Sequence, residues 1–450
     1  MSLLDQIRAA GVAGCGGAGF PAYAKLSARD VDTFIVNAAE CEPLLRTDRY
    51  LMLHGADAIA AAIAAVKARL GNPRAVIALK QSYAEEIIAL QAAISKAGAD
   101  IELHFMQSFY PAGDEHVTVF EVTGRVVPPA GLPLDVGCAV SNIGTMHAIY
   151  HAMQGRAFTH KYLTAAGAVR EPCVIQAPLG TSFEDCLKLA GGTVLDDYAV
   201  VSGGPMMGKV CARDEAAKLY VTKTTSGFLI LPAGAKLNLL ADLPMRHMRN
   251  RAASACIQCS FCTQLCPRRL LGHPLEPHKI MRKIAAQALE DQLDDPVIHS
   301  AQYCSECGVC ELLACPMRLS PRGVNRELKR MLSARGMRPI KGEAGLRPLP
   351  YRTERLIPTS RAAMGAGVRR WYQTEISRFV EAKPTRVSIA LDSHIGAPAI
   401  PMVQAGDRVA LGQCVAQTPQ GRLGVPYHAS IDGVIERVGE DRVVIAGEGE

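Results

Sequence analysis

Two short cysteine runs restrict this 450-residue chain more than anything else in it. "CIQCSFCTQLCP" sets Cys256, Cys259, Cys262 and Cys266 ahead of Pro267, a C-x2-C-x2-C-x3-C-P spacing. "CSECGVCELLACP" sets Cys304, Cys307, Cys310 and Cys315 ahead of Pro316, with one more residue before the last cysteine. Three thiolates at x2 spacing wrap one cluster from a tight loop. The fourth, followed by proline, leads toward the neighbouring cluster. The spacing therefore assigns one 4Fe–4S cluster to Cys256, Cys259, Cys262 and Cys315, and a second to Cys304, Cys307, Cys310 and Cys266. Zinc is the alternative, but zinc sites pair two C-x2-C knuckles and do not use triplets. The other seven of the fifteen cysteines are scattered. No secretory leader pattern opens the chain, so metal or redox work is expected of its cysteines before disulfides.

The segment around 250–320 resembles a bacterial two-cluster ferredoxin module, with a helical spacer, "HKIMRKIAAQALEDQL", between the runs. Such clusters carry single electrons and need a source. "GCGGAGFPAYAK" (14–25) is a candidate. Gly14, Gly16, Gly17 and Gly19 permit positive φ and close backbone approach to a flat or phosphorylated ligand. The glycines fall in G-x-G-x-x-G order, but the stretch precedes a strand instead of following one, so it is not the dinucleotide fingerprint. "NAAECEP" then ends a strand and sets Asn37, Glu40 and Glu42 at its carboxyl end, where α/β sheets hold ligands. A plain polar loop is the bland alternative there, and core packing is the alternative for Phe20. Cys15 reads as a small filler.

G-x-G-G-A-G-F-P-x-x-x-K followed by N-x-x-E-x-E-P resembles the FMN- and NADH-binding subunit of respiratory complex I and its RnfC-type relatives. The resemblance implies that Gly14, Gly16, Lys25, Asn37 and Glu40 hold FMN. "YPAGDEH" (110–116) fits the same template and adds Gly113, Asp114 and Glu115. "VSNIGTMHAI" (140–149) adds Ser141, Asn142 and Thr145. Asp114 stands where relatives carry Glu, and Ser141 where they carry Asn. By the same match Phe20, Glu42 and Glu115 resemble nicotinamide-side residues: a ring to stack and acids to accept hydrogen bonds.

The expected fold class is α/β and multidomain. It comprises a complex I flavin-subunit-like FMN/NADH domain (1–155), a soluble-ligand-binding β-grasp domain (156–215), a two-cluster ferredoxin-like α-helical module (245–335), a basic linker (336–385) and a C-terminal barrel-sandwich hybrid (386–450). In the last, "GRLGVP" occupies the hairpin where a lipoyl carrier has its lysine, so it is not a swinging arm. Residues 318–370 carry fourteen Lys/Arg against three Asp/Glu. They read as an extended wrap-around connector, or as a docking surface for an acidic partner. A net charge of +6 is too mild to imply nucleic acid. The apolar run 58–66, flanked by Asp57 and Lys67, is too short to span a bilayer, so a soluble cytosolic protein without a transmembrane segment is expected.

RnfC-type proteins place a barrel-sandwich domain first; here it is last. That order resembles the cobalamin reductase family of propanediol-utilisation microcompartments. The resemblance implies an NADH-dependent oxidoreductase that passes electrons from NADH through FMN and two 4Fe–4S clusters to cobalamin, reducing it toward cob(I)alamin. It needs no catalytic acid or base. Implied partners are NADH, cobalamin or an adenosyltransferase that handles it, and a microcompartment shell protein; the implied location is cytoplasmic, inside the shell. His116, His394 and His428 are cobalt-ligand candidates by residue type alone and read better as surface histidines. The start at Leu3, Leu4 and Ile7 reads as packing on the flavin domain. Two rivals remain: a peripheral subunit of an RnfC-type membrane complex that handles NADH and ferredoxin, and a flavin-free cluster relay.

Overall fold

The computed structural model describes residues 1–241, 243–286 and 293–447. Its first unit is built on four parallel strands, β1 (Thr33–Asn37), β2 (Arg74–Lys80), β3 (Glu102–Met106) and β4 (Cys138–Asn142), in the order β3-β2-β1-β4. The runs "TFIVN" and "RAVIALK" are nearly continuous in apolar residues because helices cover both faces of the sheet. The run 58–66 lies inside helix Ala56–Arg69, which turns Ile59, Ile63 and Val66 into this core. Among the described residues no single helix is long and apolar enough to cross a membrane. Ser2 and Asp5 cap the first helix reciprocally, and its Leu3, Leu4 and Ile7 pack on the same core.

Strand order reverses between β1 and β4. In such sheets ligands bind beyond the carboxyl ends of the strands that flank the reversal. Here those ends are Asn37 and Asn142, which stand opposite each other in register.

The β-grasp unit is larger than its expected 156–215. Its six-stranded sheet runs β10-β6-β5-β9-β7-β8, with β5 (His160–Gly167), β6 (Cys173–Pro178), β7 (Tyr198–Ser202), β8 (Lys209–Ala212), β9 (Gly227–Pro232) and β10 (Phe379–Glu381). Strand β9, "GFLILP", is an unbroken apolar run and sits between β5 and β7, buried on both faces. Strand β10 comes from the stretch expected to be linker and pairs with β6 at the sheet's edge.

That stretch is not an extended connector. Ile357–Pro358 pairs with Phe109–Tyr110, Thr359–Gly365 and Arg369–Tyr372 are helical, and Lys341–Asp135 and Arg352–Glu121 ion pairs fasten it to the flavin unit. Part of its positive charge is thus answered within the chain. The cluster module is helical, built from Met245–Ala255, Pro277–Ala286 and Pro321–Ala334 around one apolar core. The spacer's helix begins at Pro277; its residues 287–292 lie outside the described residues. The C-terminal unit is two small sheets, and its core includes Ala13 from the glycine stretch.

The inclusion of β9 gives a direct test. Gly167 has φ +84°, and a Cβ there would lie 2.4 Å from the Ile230 carbonyl oxygen. Gly167→Ala should cost about 1–3 kcal/mol or more, from left-handed strain plus the clash. The readout is a lowered urea midpoint; an unchanged midpoint would mean that β9 does not lie against β5.

Candidate functional site

The glycine stretch folds back on itself. Ala13 bridges to Pro21, and the Gly14 N–H donates to the Phe20 carbonyl at 2.9 Å. This lifts Gly16, Gly17 and Ala18 into an exposed crest. Two glycines are required by close neighbours. A Cβ on Gly16 would come 3.2 Å from the Asn142 side chain, and one on Gly19 would come 2.7 Å from Thr224. Gly17, at φ +104°, faces open space, so the bare backbone there is free to meet a flat ligand.

Most of the expected flavin residues join into one network around the switch point. Lys25 Nζ donates to Glu115 Oε1 at 2.9 Å and to the Val140 carbonyl at 3.0 Å. Asn37 donates to the Gly113 carbonyl at 2.9 Å. Asn142 caps helix Ile143–Met153 through the Gly144 N–H and donates to Asp48 at 2.9 Å. Thr145 Oγ1 accepts the Cys15 N–H at 2.9 Å, which ties the glycine loop to that helix. Ser141 is buried inside β4. The donor set is an ammonium, two amides and exposed backbone at the carboxyl ends of two neighbouring strands. It fits an anionic, planar, hydrogen-bonding group such as FMN.

Three residues turn elsewhere. Glu40 caps helix Thr47–His54, accepting from the N–H groups of Asp48 (3.0 Å) and Arg49 (3.4 Å). Burial, then the Asp48 charge, pushes its carboxyl up to about 7. Glu42, expected beside a nicotinamide, accepts the Met206 N–H at 2.8 Å beneath the "GGPMMG" turn, and burial pushes it too up to about 7. Asp114 caps helix Glu115–Thr123 and pairs with Arg268, which follows Cys266 and Pro267. Burial acts to raise the Asp114 carboxyl; the charges of Arg268 and His116 outweigh it and hold the group below its usual range. Phe20 is half-buried on the loop.

The cysteines gather across the two runs. Cys262 is raised to about 12 by burial first, then by Cys315, Cys256 and Cys259 beside it. Cys310 is raised by burial, then by Cys304, Cys307 and Cys266 among its neighbours. These neighbours group the cysteines as 256/259/262/315 and 304/307/310/266, the two sets expected from the spacing. The two loops repeat one backbone pattern: Gln258 and Ser260 in the first, and Glu306 and Gly308 in the second, all have positive φ. N–H donors reach sulfur from Gln258 (to Cys256, 3.1 Å), Glu306 (to Cys304, 3.3 Å) and Leu319 (to Cys315, 3.3 Å). The extra residue of the second run is absorbed by a π-helical turn, Cys310–Ala314, whose Cys315 N–H bonds back to the Cys310 carbonyl. Among the described residues no three Cys, His, Asp or Glu side chains close on a single-ion site.

The quartet of Cys304 is the inner one: Cys307, Cys310 and Cys266 are buried, whereas all four of the other quartet are partly exposed beside the exposed Ile257 and Phe261. Tyr110, three residues before Gly113, connects the inner quartet to the flavin unit. Its buried hydroxyl donates to the Cys307 carbonyl at 2.7 Å. Tyr110 opens the "YPAGDEH" motif, but its part in joining the units, like those of Arg268 and Asp48, is not legible in the sequence, because each acts through a partner far away in the chain. The three candidate histidines share no site; His116 and His394 are half-buried and His428 is buried. His116 packs edge-on to His273, His394 bonds Tyr427, and His428 is buried with Nδ1 unpartnered.

Known families cover the same units. Residues 7–151 match the Nuo51 FMN-binding domain, 162–210 the SLBB domain, 255–320 the 4Fe-4S dicluster domain and 372–449 the RnfC barrel sandwich hybrid domain. A cobalamin reductase PduS of Salmonella typhimurium is 42% identical over 446 residues, 98% of this chain and 95% of the relative. A second, from Citrobacter freundii, is 41% identical over 447 residues, 99% of this chain and 96% of the relative. A component of the proton-translocating ferredoxin:NAD(+) oxidoreductase complex of Clostridium ljungdahlii is 33% identical over 273 residues, 60% of this chain and 56% of its own. Among solved structures, an NAD+-reducing NiFe hydrogenase in the H2-reduced state aligns with a TM-score of 0.50 at 20% identity, over 76% of this chain and 63% of that one, a likeness of fold alone.

Single substitutions test the crossed quartets. Cys315→Ser and Cys256→Ser should abolish the same cluster signal in Mössbauer and EPR spectra of the reconstituted protein, and Cys266→Ser and Cys304→Ser the other. Each variant should retain about four iron atoms per chain. If Cys315→Ser matched Cys304→Ser instead, the runs would not be crossed.

Proposed function

Because the chain belongs to the family of the cobalamin reductases PduS, which are oxidoreductases, we propose that it carries electrons from NADH through FMN and two 4Fe–4S clusters to cobalamin, reducing it toward cob(I)alamin. The observation that carries the reading is the contact between "YPAGDEH" and the inner cysteine quartet: Tyr110 on the Cys307 carbonyl and Asp114 on Arg268.

When bound, FMN exchanges electrons in pairs with a nicotinamide and singly with iron–sulfur clusters. The protein's own part is positional. The glycine crest leaves room for a flat ring system, and Lys25 presents a positive charge at the strand ends, held ready by Glu115. Asn37 fixes the Gly113 backbone, Asn142 caps the helix behind the glycine loop, and Thr145 ties the loop to that helix. Tyr110 and Arg268 hold the cradle rigidly against the inner quartet, and donors to sulfur lower the cost of its charge. No side chain is assigned as a catalytic acid or base, since hydride transfer needs none. The partly exposed outer quartet is the proposed exit toward the acceptor. The domain order, barrel last, favours this reading over a peripheral subunit of a membrane complex. We extend the proposal to place: the chain acts in the cytoplasm within a microcompartment, and co-purification with shells checks that part.

Anaerobic titration with NADH and cob(III)alamin tests the activity: flavin, cluster and corrin absorbances should all change. Tyr110→Phe combined with Arg268→Met should lower NADH-driven cobalamin reduction by at least about tenfold, while NADH still bleaches the flavin. If NADH bleaches nothing in the wild-type chain, the flavin assignment fails. If flavin and clusters bleach but the corrin does not, the acceptor is wrong.

A further inference from the structure

A cavity of about 750 Å³ lies at the junction of three units: the flavin domain, the β-grasp sheet and the C-terminal domain. It shares a wall with the flavin cradle, since Cys15 and Gly144 line one end. Strand β5 contributes Lys161, which is 5% exposed and lines the cavity. Among the described residues none forms a hydrogen bond or ion pair with its ammonium. The ammonium on the cavity wall has no counter-ion in contact, and its charge attracts an anion. Asp48 does not supply one at contact. Its carboxylate is taken up by Asn142 at 2.9 Å, and it feels Lys161 only through space. Arg156 adds a second cation to the lining.

A second unpartnered group faces the same space from another unit. His428 of the C-terminal domain is 6% exposed, its Nδ1 has no partner, and it lines the cavity. In the tautomer that carries its proton on the other nitrogen, Nδ1 has a lone pair able to accept from a hydroxyl. Helix Ile143–Met153 lines the cavity along one face, with Gly144, His147, Ala148 and His151.

We propose that this cavity is a binding site for a phosphate ester of a polyol, with Lys161 as counter-ion to the phosphate and His428 as acceptor for a ligand hydroxyl. Two sources share that chemistry: the ribityl phosphate of the flavin itself, entering from the Cys15 end, or a separate phosphorylated metabolite. The site does not depend on the identity of the electron acceptor.

Two binding experiments distinguish the sources. The first measures thermal protection of FMN-loaded full-length protein by ribose 5-phosphate and by inorganic pyrophosphate. The second measures FMN and riboflavin affinity of the flavin-free protein by fluorescence quenching. For a separate ligand, ribose 5-phosphate should raise the melting temperature of the wild type and of Lys161→Arg but not of Lys161→Met, with FMN affinity unchanged. For the flavin phosphate, Lys161→Met should weaken FMN at least about tenfold and leave riboflavin unaffected, with Lys161→Arg restoring FMN. Folding of each variant is read independently from iron content and cluster spectra. If Lys161→Met changes neither phosphate protection nor the FMN-to-riboflavin ratio, the proposal is overturned.

Discussion

The architecture depends on one contact, the seating of residues Tyr110–Glu115 against the loops that carry the inner cysteine quartet. A neutral hydrogen bond, Tyr110 to the Cys307 carbonyl, and a largely buried ion pair, Asp114 to Arg268, hold it. Each partner lies more than 150 residues away in sequence. Breaking one half of a buried pair strands the other as an unpaired charge, which penalises any slip between the two units. The flavin cradle needs that rigidity, because a donor and an acceptor of single electrons must keep a fixed separation.

The same device recurs around the contact. Arg322 pairs with the buried Glu311 of the π-helical turn and donates to the Met206 carbonyl, and the Met206 N–H donates to Glu42. Three units thus meet through one chain of polar groups: the loop after β1, the "GGPMMG" turn and the cluster module. Behind the glycine loop, Lys223, fully buried, donates to the Gly11 and Pro426 carbonyls and so joins the C-terminal domain to the cradle. The domains are fastened by buried polar links with defined partners, which fix geometry more sharply than apolar contact does.

Much of this is legible in the chain. The cysteine spacing carries the crossed quartets, because the chemistry of a cluster dictates local spacing. The glycine stretch and "NAAECEP" carry the position of the cradle, because strand ends and bare backbone have local signatures. What escapes are features that depend on distant partners. Strand β9 has no attachment until the sheet closes around it, and "FVE" at 379–381 is too short to read as a strand. The basic stretch reads as a solvated connector, since nothing local shows that Arg352 will meet Glu121. Glu42 reads as a ligand residue by its motif, and only the packing of the "GGPMMG" turn gives it a structural partner.

The account's central claim is that the quartet of Cys304 lies between the flavin cradle and the quartet of Cys256. The most direct measurement is rapid anaerobic mixing of NADH with a Cys304→Ser variant that has lost the inner cluster, following the flavin and the remaining cluster separately. The account predicts that the flavin bleaches at the wild-type rate while the outer cluster and added cobalamin stay oxidised. Reduction of the outer cluster at the wild-type rate would contradict it.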